Sequence, residues 1–158
     1  MMAPGHLAVG LALYHGLTQM YGYTPPPAAY GVVAFASLLP DIDHPKSQVG
    51  RMFPTLSGVI AGVFGHRGFT HSAVALVLCV VAAYMWGGVT GGLLVAFGVG
   101  YVSHVLADFC TKTGVPLFWP WRENIRLPVL NFTTGGAVEH LITLALTAWL
   151  ASDVGGLI

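Results

Sequence analysis

The segment SLLPDIDHPKSQ, residues 37–48, places two carboxylates and an imidazole within four positions. Asp41, Asp43 and His44 follow Pro40 at the end of an apolar run, in a chain that has only six acidic side chains. Carboxylate oxygens and imidazole nitrogens are ligands of divalent metals. A Pro-Asp pair is also common in ordinary turns, so this segment needs partners elsewhere before it indicates a metal site.

Further histidines and an aspartate occur at spacings that suit such a site. His104 and Asp108, in HVLAD, are four apart and share one face of a helix. His66 and His71, in HRGFTHS, are five apart, which places His66 in a loop and His71 at a helix start. His15 lies on the opposite helical face from His6 and is left out. The candidate metal ligands are His6, Asp41, Asp43, His44, His66, His71, His104 and Asp108.

The composition indicates a membrane protein. Hydrophobic residues make up 55% of the 158 positions, charged residues 8%, and the mean hydropathy is +0.73. A soluble domain carries about 25% charged residues, so a very apolar soluble helical protein is the weaker alternative. The formal net charge is zero and no basic run occurs, which argues against nucleic acid as a partner and for the lipid bilayer.

The apolar segments predict an all-α fold, an integral membrane bundle of about four to five apolar helices in a single domain, residues 1–158. Several segments are shorter than the ~20 residues that cross a bilayer, so the number of crossings is left open. No secretory signal sequence is expected at the N-terminus, and Cys79 and Cys110 are expected to be free thiols. The segments are 7–21, 28–39, 72–86, 93–109 and 137–150, with a shorter piece at 56–64.

The basic residues predict the orientation of this bundle. If all five segments cross, residues 41–71 and 110–136 lie on the same side as the N-terminus, and the positive-inside rule places that side in the cytoplasm of a multi-pass inner (plasma) membrane protein. The same topology brings the polar ends of all five helices to one level, where they predict a metal site. All basic residues lie in the two long loops: Lys46, Arg51, Arg67, Lys112, Arg122 and Arg126.

Three residues are candidates for catalytic roles. Arg67 suits bidentate binding of a phosphate or carboxylate, with pairing to a nearby Asp as the alternative. Asp43 or Glu139 could accept a proton from water, although Glu139 could instead bind metal or cap its helix. His140 is assigned to packing or to the interface. The loop at 114–136 places aromatic residues beside arginines, which is typical of a membrane interface: Phe118, Trp119, Trp121, Arg122 and Arg126. The more specific alternative is that this loop binds a lipid headgroup.

Five features occur in order along the chain: the first-helix histidine, LPDIDHP, HRGFTHS, HVLAD and TTGGAVEH. With these features the sequence resembles the YdjM-like family of inner-membrane proteins, which are described as metal-dependent hydrolases. The resemblance spans nearly the whole chain. It implies that the eight candidate ligands, Arg67 and Glu139 form the site. The family's usual description includes an association with the LexA repressor, and none of these residues indicates a surface for it.

A more distant likeness is to zinc phospholipase C and related zinc nucleases, which are all-α enzymes with three zinc ions. This chain lacks their N-terminal Trp and a second His-x-x-x-Asp/Glu, so one or two ions fit better. We expect Zn²⁺, with Mn²⁺ or Mg²⁺ as alternatives. The predicted function is hydrolysis of a phosphoester, such as a lipid headgroup or another amphiphile, at the cytoplasmic interface. The alternative is a non-catalytic protein that binds or transports a metal.

Overall fold

The structure is a computed structural model, and it describes residues 1–86, 91–121 and 123–155. Across those residues the chain is helical, without strands, and the all-α prediction is confirmed. In chain order the elements are α1 (Ala3–Met20), α2 (Pro27–Ala36), a first 3-10 turn (Leu39–Asp43), α3 (Gln48–Met52), α4 (Pro54–Phe64), a second 3-10 turn (Phe69–His71), α5 (Ala73–Trp86), α6 (Gly91–Phe109) and α7 (Ala137–Gly155).

Prolines and glycines set several helix boundaries. Pro4, Pro27 and Pro54 lie in the first turns of α1, α2 and α4, where a missing N–H costs nothing. Helix α4 ends at Gly65, whose φ of 77° an L side chain would rarely adopt. Helix α2 ends earlier than the predicted segment 28–39, because Pro40 has no N–H to donate to the carbonyl oxygen of Ala36, four residues earlier. The predicted break at GGVTGG falls largely on residues 87–90, outside the described residues.

Helix α6 packs against α1, α2 and α5 and forms the centre of the fold. Small residues allow these helices to approach closely. A Cβ on Gly10 of α1 would lie 2.0 Å from Ser37 Oγ, and a Cβ on Gly100 of α6 would lie 2.6 Å from the Val33 carbonyl oxygen. Close backbone contact of this kind is typical of helices that pack in membranes.

Helices α1 and α7 run in the same direction and are joined at both ends. At their beginnings, the Met2 amide donates to Glu139 Oε1 over 2.6 Å. Towards their ends, His15 Nε2 lies 2.7 Å from Asp153 Oδ2, and His15 Nδ1 lies 2.8 Å from the Tyr30 hydroxyl of α2. His15 is buried in this separate contact, so the histidine left out of the predicted site joins three helices instead.

Only one helix among the described residues, α6 over Gly92–Phe109, is long and apolar enough to cross a membrane by length and composition. The predicted four to five membrane helices are therefore not confirmed. Helices α4 and α5 are apolar but shorter. Several helices nevertheless expose large apolar side chains, among them Val59 and Val63 on α4, Val77 and Leu78 on α5, and Leu141 and Leu144 on α7.

Candidate metal centre

Four side chains from three parts of the chain converge at one end of the helices. Asp41 comes from the first 3-10 turn, His71 from the second, and His104 and Asp108 from one face of α6. The side chains of His71, His104 and Asp108 are fully buried, whereas Asp41 is 20% exposed. We call these four residues the metal cluster. Ionisable groups at such burial are costly unless they are paired or bind an ion.

The ligand atoms of the metal cluster lie at distances that suit a shared ion. The Nε2 atoms of His71 and His104 are 3.1 Å apart. Asp41 Oδ1 lies 3.8 and 3.6 Å from these two nitrogens, and Asp108 Oδ2 lies 3.7 and 3.9 Å from them. In either triangle one point is about 2.0–2.1 Å from all three atoms, which matches Zn–N and Zn–O bond lengths. Two histidines with either aspartate therefore fit one ion.

The hydrogen bonds of the two imidazoles indicate where their protons lie. His104 Nδ1 is 2.7 Å from the carbonyl oxygen of Ser37, which can only accept, so Nδ1 carries the proton. The Thr70 hydroxyl donates to Asp43 Oδ2 over 2.5 Å and therefore accepts from His71 Nδ1, 3.0 Å away. Both Nε2 atoms then present lone pairs to each other at 3.1 Å. Two lone pairs repel at that distance unless a cation lies between them.

Asp43 organises the side of the cluster next to His71. Its Oδ1 accepts from His66 Nδ1 over 3.0 Å, and its Oδ2 accepts from the Arg67 amide over 2.9 Å and from Thr70. Burial alone would raise the pKa of Asp43, but the hydrogen bonds from His66, His71 and Thr70 outweigh it and hold the pKa below its ordinary value. Asp43 is therefore an ionised carboxylate that orients His71, as residues behind a metal ligand commonly do.

His6 is buried beside the metal cluster, next to Asp108. Asp108 Oδ1 contacts the Met1 nitrogen and lies 3.4 Å from His6 Nε2, and Asp108 Oδ2 lies 2.8 Å from an Arg67 terminal nitrogen. The His6 ring stacks on His104 with centroids 3.6 Å apart. His6, His104 and Asp108 thus form a triad whose ligand atoms lie within 4.8 Å of one another. Asp41, His71 and His104 form another such triad, and His104 belongs to both.

Arg67 has an unusual backbone conformation at the edge of the cluster. Its φ of 55° lies in the left-handed region, which residues other than glycine rarely adopt. The hydrogen bond from its amide to Asp43 stabilises that conformation. The guanidinium reaches Asp108 on one side and the carbonyl oxygen of Gly114, 3.3 Å away, on the other. Strained backbone of this kind is concentrated at functional sites.

Other predicted site residues lie beside the metal cluster rather than in it. The His66 ring, 45% exposed, is held by Asp43, and the His44 ring lies against it with centroids 4.5 Å apart. Glu139 is buried, and its two oxygens accept from the backbone amides of Met2 and Gly135, so it caps the beginnings of α1 and α7. His140 is exposed on α7. Arg122 lies outside the described residues.

Two residues that support the histidines were missed by sequence reasoning. Ser37 contributes only its carbonyl oxygen, and no sequence pattern identifies a backbone acceptor. Thr70 lies inside HRGFTHS, directly before His71, so its place in the motif was a usable signal. Tyr101 of α6 donates its hydroxyl hydrogen to the Thr70 carbonyl oxygen over 2.5 Å, which anchors the second 3-10 turn to the central helix.

Comparison with known proteins gives a family and several relatives. The family described as YdjM inner membrane protein matches residues 1–157. Inner membrane protein YdjM of Escherichia coli (strain K12) is 44% identical over 117 residues, covering 71% of this chain, and the match spans 59% of that relative's length. Uncharacterized protein YvsG of Bacillus subtilis (strain 168) is 36% identical over 146 residues, covering 90% of this chain and 87% of the relative. No solved structure matches the chain, and the likeness to zinc phospholipase C stays a prediction.

Proposed function

Because the chain belongs to the YdjM inner membrane protein family, we propose that it lies in the inner membrane and crosses it several times. From the geometry of its site we propose that it is a hydrolase that uses a divalent metal ion on a phosphoester. The observation that carries the proposal is the pair of buried imidazole nitrogens, His71 Nε2 and His104 Nε2, which face each other at 3.1 Å beside two carboxylates. A buried cation is the simplest group that satisfies all four.

The membrane location has independent support from the surface of the fold. Large apolar side chains on α4, α5 and α7 are exposed, for example Val63, Val77 and Leu144, and lipid would cover them. Helix α6 has the length and composition of a membrane span. The loops that carry the basic residues lie at the same end as the metal cluster, so we place this end and the N-terminus in the cytoplasm.

The residues of the cluster fit a nitrogen- and oxygen-binding metal. His71 and His104 would hold it through Nε2, with Asp41, Asp108 or both completing the ligand set. Zn²⁺ suits two imidazoles and a carboxylate better than Mg²⁺, which prefers oxygen ligands, while Mn²⁺ remains an alternative. When bound, such an ion lowers the pKa of water towards neutrality and polarises the group to be cleaved.

His66 is the best-placed residue to accept a proton. Asp43 and Glu139, the two carboxylates predicted for this role, already use both of their oxygens in hydrogen bonds. Asp43 instead holds Nδ1 of His66, which leaves Nε2 of a half-exposed ring with a lone pair. A carboxylate that fixes the tautomer of a histidine base is a recurring catalytic arrangement. Arg67 would bind the negative charge of the substrate.

A non-catalytic metal protein is the second candidate. If both Asp41 and Asp108 bind the ion together with the two histidines, four protein ligands fill a tetrahedron and no position stays open for water, as in structural zinc sites. A transporter is less well supported, because transporters bind their ions near the middle of the membrane and this cluster lies at one end of the helices.

The test is to purify the protein in detergent, measure bound metal by elemental analysis, and assay hydrolysis of phosphomonoester, phosphodiester and phospholipid substrates. We expect about one ion per chain and hydrolysis of at least one class, both lost in His104→Ala. Bound metal without hydrolysis of any class would favour the non-catalytic candidate. A wild-type protein that binds no metal after repletion would contradict both candidates.

A further inference from the structure

A polar cleft of about 210 Å³ lies next to the metal cluster. It is formed between the turn after α4 and the loop that follows α6, and His66, Arg67, Trp119 and Asn124 are among the residues that line it. Pockets that enclose a whole small molecule usually measure about 300–1,000 Å³. This cleft is smaller, so it fits one polar group of a substrate rather than a complete molecule.

The polar side chains of the cleft are suited to an anion. Arg67 supplies a permanent positive charge, Asn124 an amide, and His66 a half-exposed ring. Among the described residues that line the cleft there is no carboxylate. Asp108 and Asp43 contact Arg67 and His66 from outside that lining. A cleft lined by a guanidinium and an amide favours phosphate or carboxylate groups.

Arg67 connects the cleft to the metal cluster. One terminal nitrogen lies 2.8 Å from Asp108 Oδ2, the other donates to the Gly114 carbonyl oxygen, and Nε is buried without a hydrogen-bond partner among the described residues. A guanidinium has five N–H donors, so the contacts with Asp108 and Gly114 leave further donors at its terminal nitrogens for an anion in the cleft. Its left-handed backbone, fixed by Asp43, holds the residue between the two sites.

We propose that this cleft, which we call the anion cleft, binds the phosphate group of the substrate beside the metal cluster. The proposal rests on the proposed hydrolase function and specifies where its substrate binds. A phosphate in the anion cleft would lie beside Arg67, which contacts Asp108 of the metal cluster, and beside His66, which is held by Asp43.

The surroundings of the anion cleft indicate how such a phosphate would arrive. Phe64, Phe69 and Trp119 form an aromatic cluster at its wall, with centroids 5.3 to 6.1 Å apart. Phe64 is the last residue of α4, and the apolar side chains of Val59 and Val63 on the same helix are exposed. Aromatic rings of this kind lie at membrane interfaces. The phosphate ester could belong to a lipid or to a soluble molecule, and the experiment distinguishes these sources.

The experiment measures binding of inorganic phosphate to the metal-loaded full chain by calorimetry, together with bound metal. Arg67→Gln and Asn124→Leu should each weaken phosphate binding, the first at least tenfold, while the metal content stays that of the wild type. Arg126→Gln is the matched control, because Arg126 is exposed and donates only to the Lys112 carbonyl oxygen, and it should leave phosphate binding unchanged. Unchanged phosphate binding in both cleft variants would overturn the proposal.

Two further probes identify the source of the phosphate. A lipid headgroup would be supported if dihexanoyl phosphatidic acid binds more tightly than glycerol phosphate and the difference is lost in Trp119→Ala. Equal binding of the two compounds would support a soluble ester. Acetate that binds more tightly than either would overturn the phosphate assignment. A protein that binds metal but no phosphate would overturn the anion cleft and leave the proposed function standing. A protein that binds phosphate through Arg67 but takes up no metal would overturn the proposed function and leave the anion cleft standing.

Discussion

The Nε2 atoms of His71 and His104 lie 3.1 Å apart, and each ring is fixed through its other nitrogen. Thr70 and Asp43 hold His71, and the Ser37 carbonyl oxygen holds His104. Neither ring can rotate to relieve the contact without losing its buried hydrogen bond. The fold therefore fixes two lone pairs in a position that a metal ion, bound also by Asp41 or Asp108, would stabilise.

Removal of either imidazole should abolish metal binding. We expect His71→Ala and His104→Ala each to lower metal affinity by at least two orders of magnitude, because the remaining nitrogen and carboxylates no longer surround one point. Elemental analysis after repletion with Zn²⁺ measures this. His140→Ala is the control, since His140 is exposed. Wild-type stoichiometry in His104→Ala would exclude the metal cluster as the binding site.

The two aspartates of LPDIDH should behave differently when substituted. Asp41→Asn removes a direct ligand candidate, whereas Asp43→Asn removes only the partner that orients His71 and His66. We expect Asp43→Asn to retain metal with an affinity about 10- to 100-fold weaker, and Asp41→Asn to lose more. Competition with a fluorescent zinc chelator gives both affinities. Glu123→Gln is the control, because it changes an exposed carboxylate. If Asp43→Asn weakens metal binding more than Asp41→Asn does, Asp43 is the ligand and Asp41 the supporting residue.

The apolar pattern of the sequence was sufficient to find the six longer helices of the described residues, but not α3 and not all of the boundaries. The predicted segment 93–109 corresponds closely to α6, because its apolar residues continue to Phe109 and are interrupted only by Ser103, His104 and Asp108. The segment 137–150 stops short of α7, which continues through polar Ser152 and Asp153. That extension depends on the contact between Asp153 and His15, which are far apart in the sequence.

The site could be predicted as a group of residues but not by role. His104 and Asp108 share a helical face, so their convergence followed from spacing alone. Asp41 and Asp43 are two apart in a 3-10 turn, and the path of that turn decides which one approaches the Nε2 atoms of His71 and His104. His66 was grouped with the ligands because nothing in HRGFTHS reveals the left-handed backbone at Arg67 that separates it from His71.

His66 should be required for hydrolysis but not for metal binding. His66→Asn keeps a polar side chain beside Asp43 but removes the proton-accepting nitrogen, so kcat should fall by roughly 10²- to 10⁴-fold. The measurement is kcat on the substrate that the screen identifies, with bound metal determined on the same sample. His44→Asn, which changes the ring lying against His66, should retain most activity. If His66→Asn loses metal together with activity, His66 is a ligand, as the sequence predicted.

Substitution of two glycines on α6 by alanine should have different effects on the free energy of unfolding. A Cβ at Gly100 would lie 2.6 Å from the Val33 backbone oxygen, whereas a Cβ at Gly98 meets nothing within 4 Å. Gly100→Ala should therefore lower the free energy of unfolding by about 1–3 kcal/mol through overpacking. Gly98→Ala should leave it unchanged or raise it by up to about 1 kcal/mol through helix propensity. Unfolding in detergent measures both, and equal effects would contradict the close packing of α2 and α6.

The proposed orientation predicts which end of the bundle faces the cytoplasm. Val129, in the loop between α6 and α7, and Thr24, in the turn between α1 and α2, are both exposed, and α1 separates the turn from the end with the metal cluster. With Cys79 and Cys110 replaced by serine, Thr24→Cys should react with a membrane-impermeant maleimide in intact spheroplasts. Val129→Cys should react only after the membrane is permeabilised, because the basic loops are retained inside. Labelling of Val129→Cys alone in intact spheroplasts would reverse the orientation, and would place the metal cluster and its substrate on the outer face of the membrane.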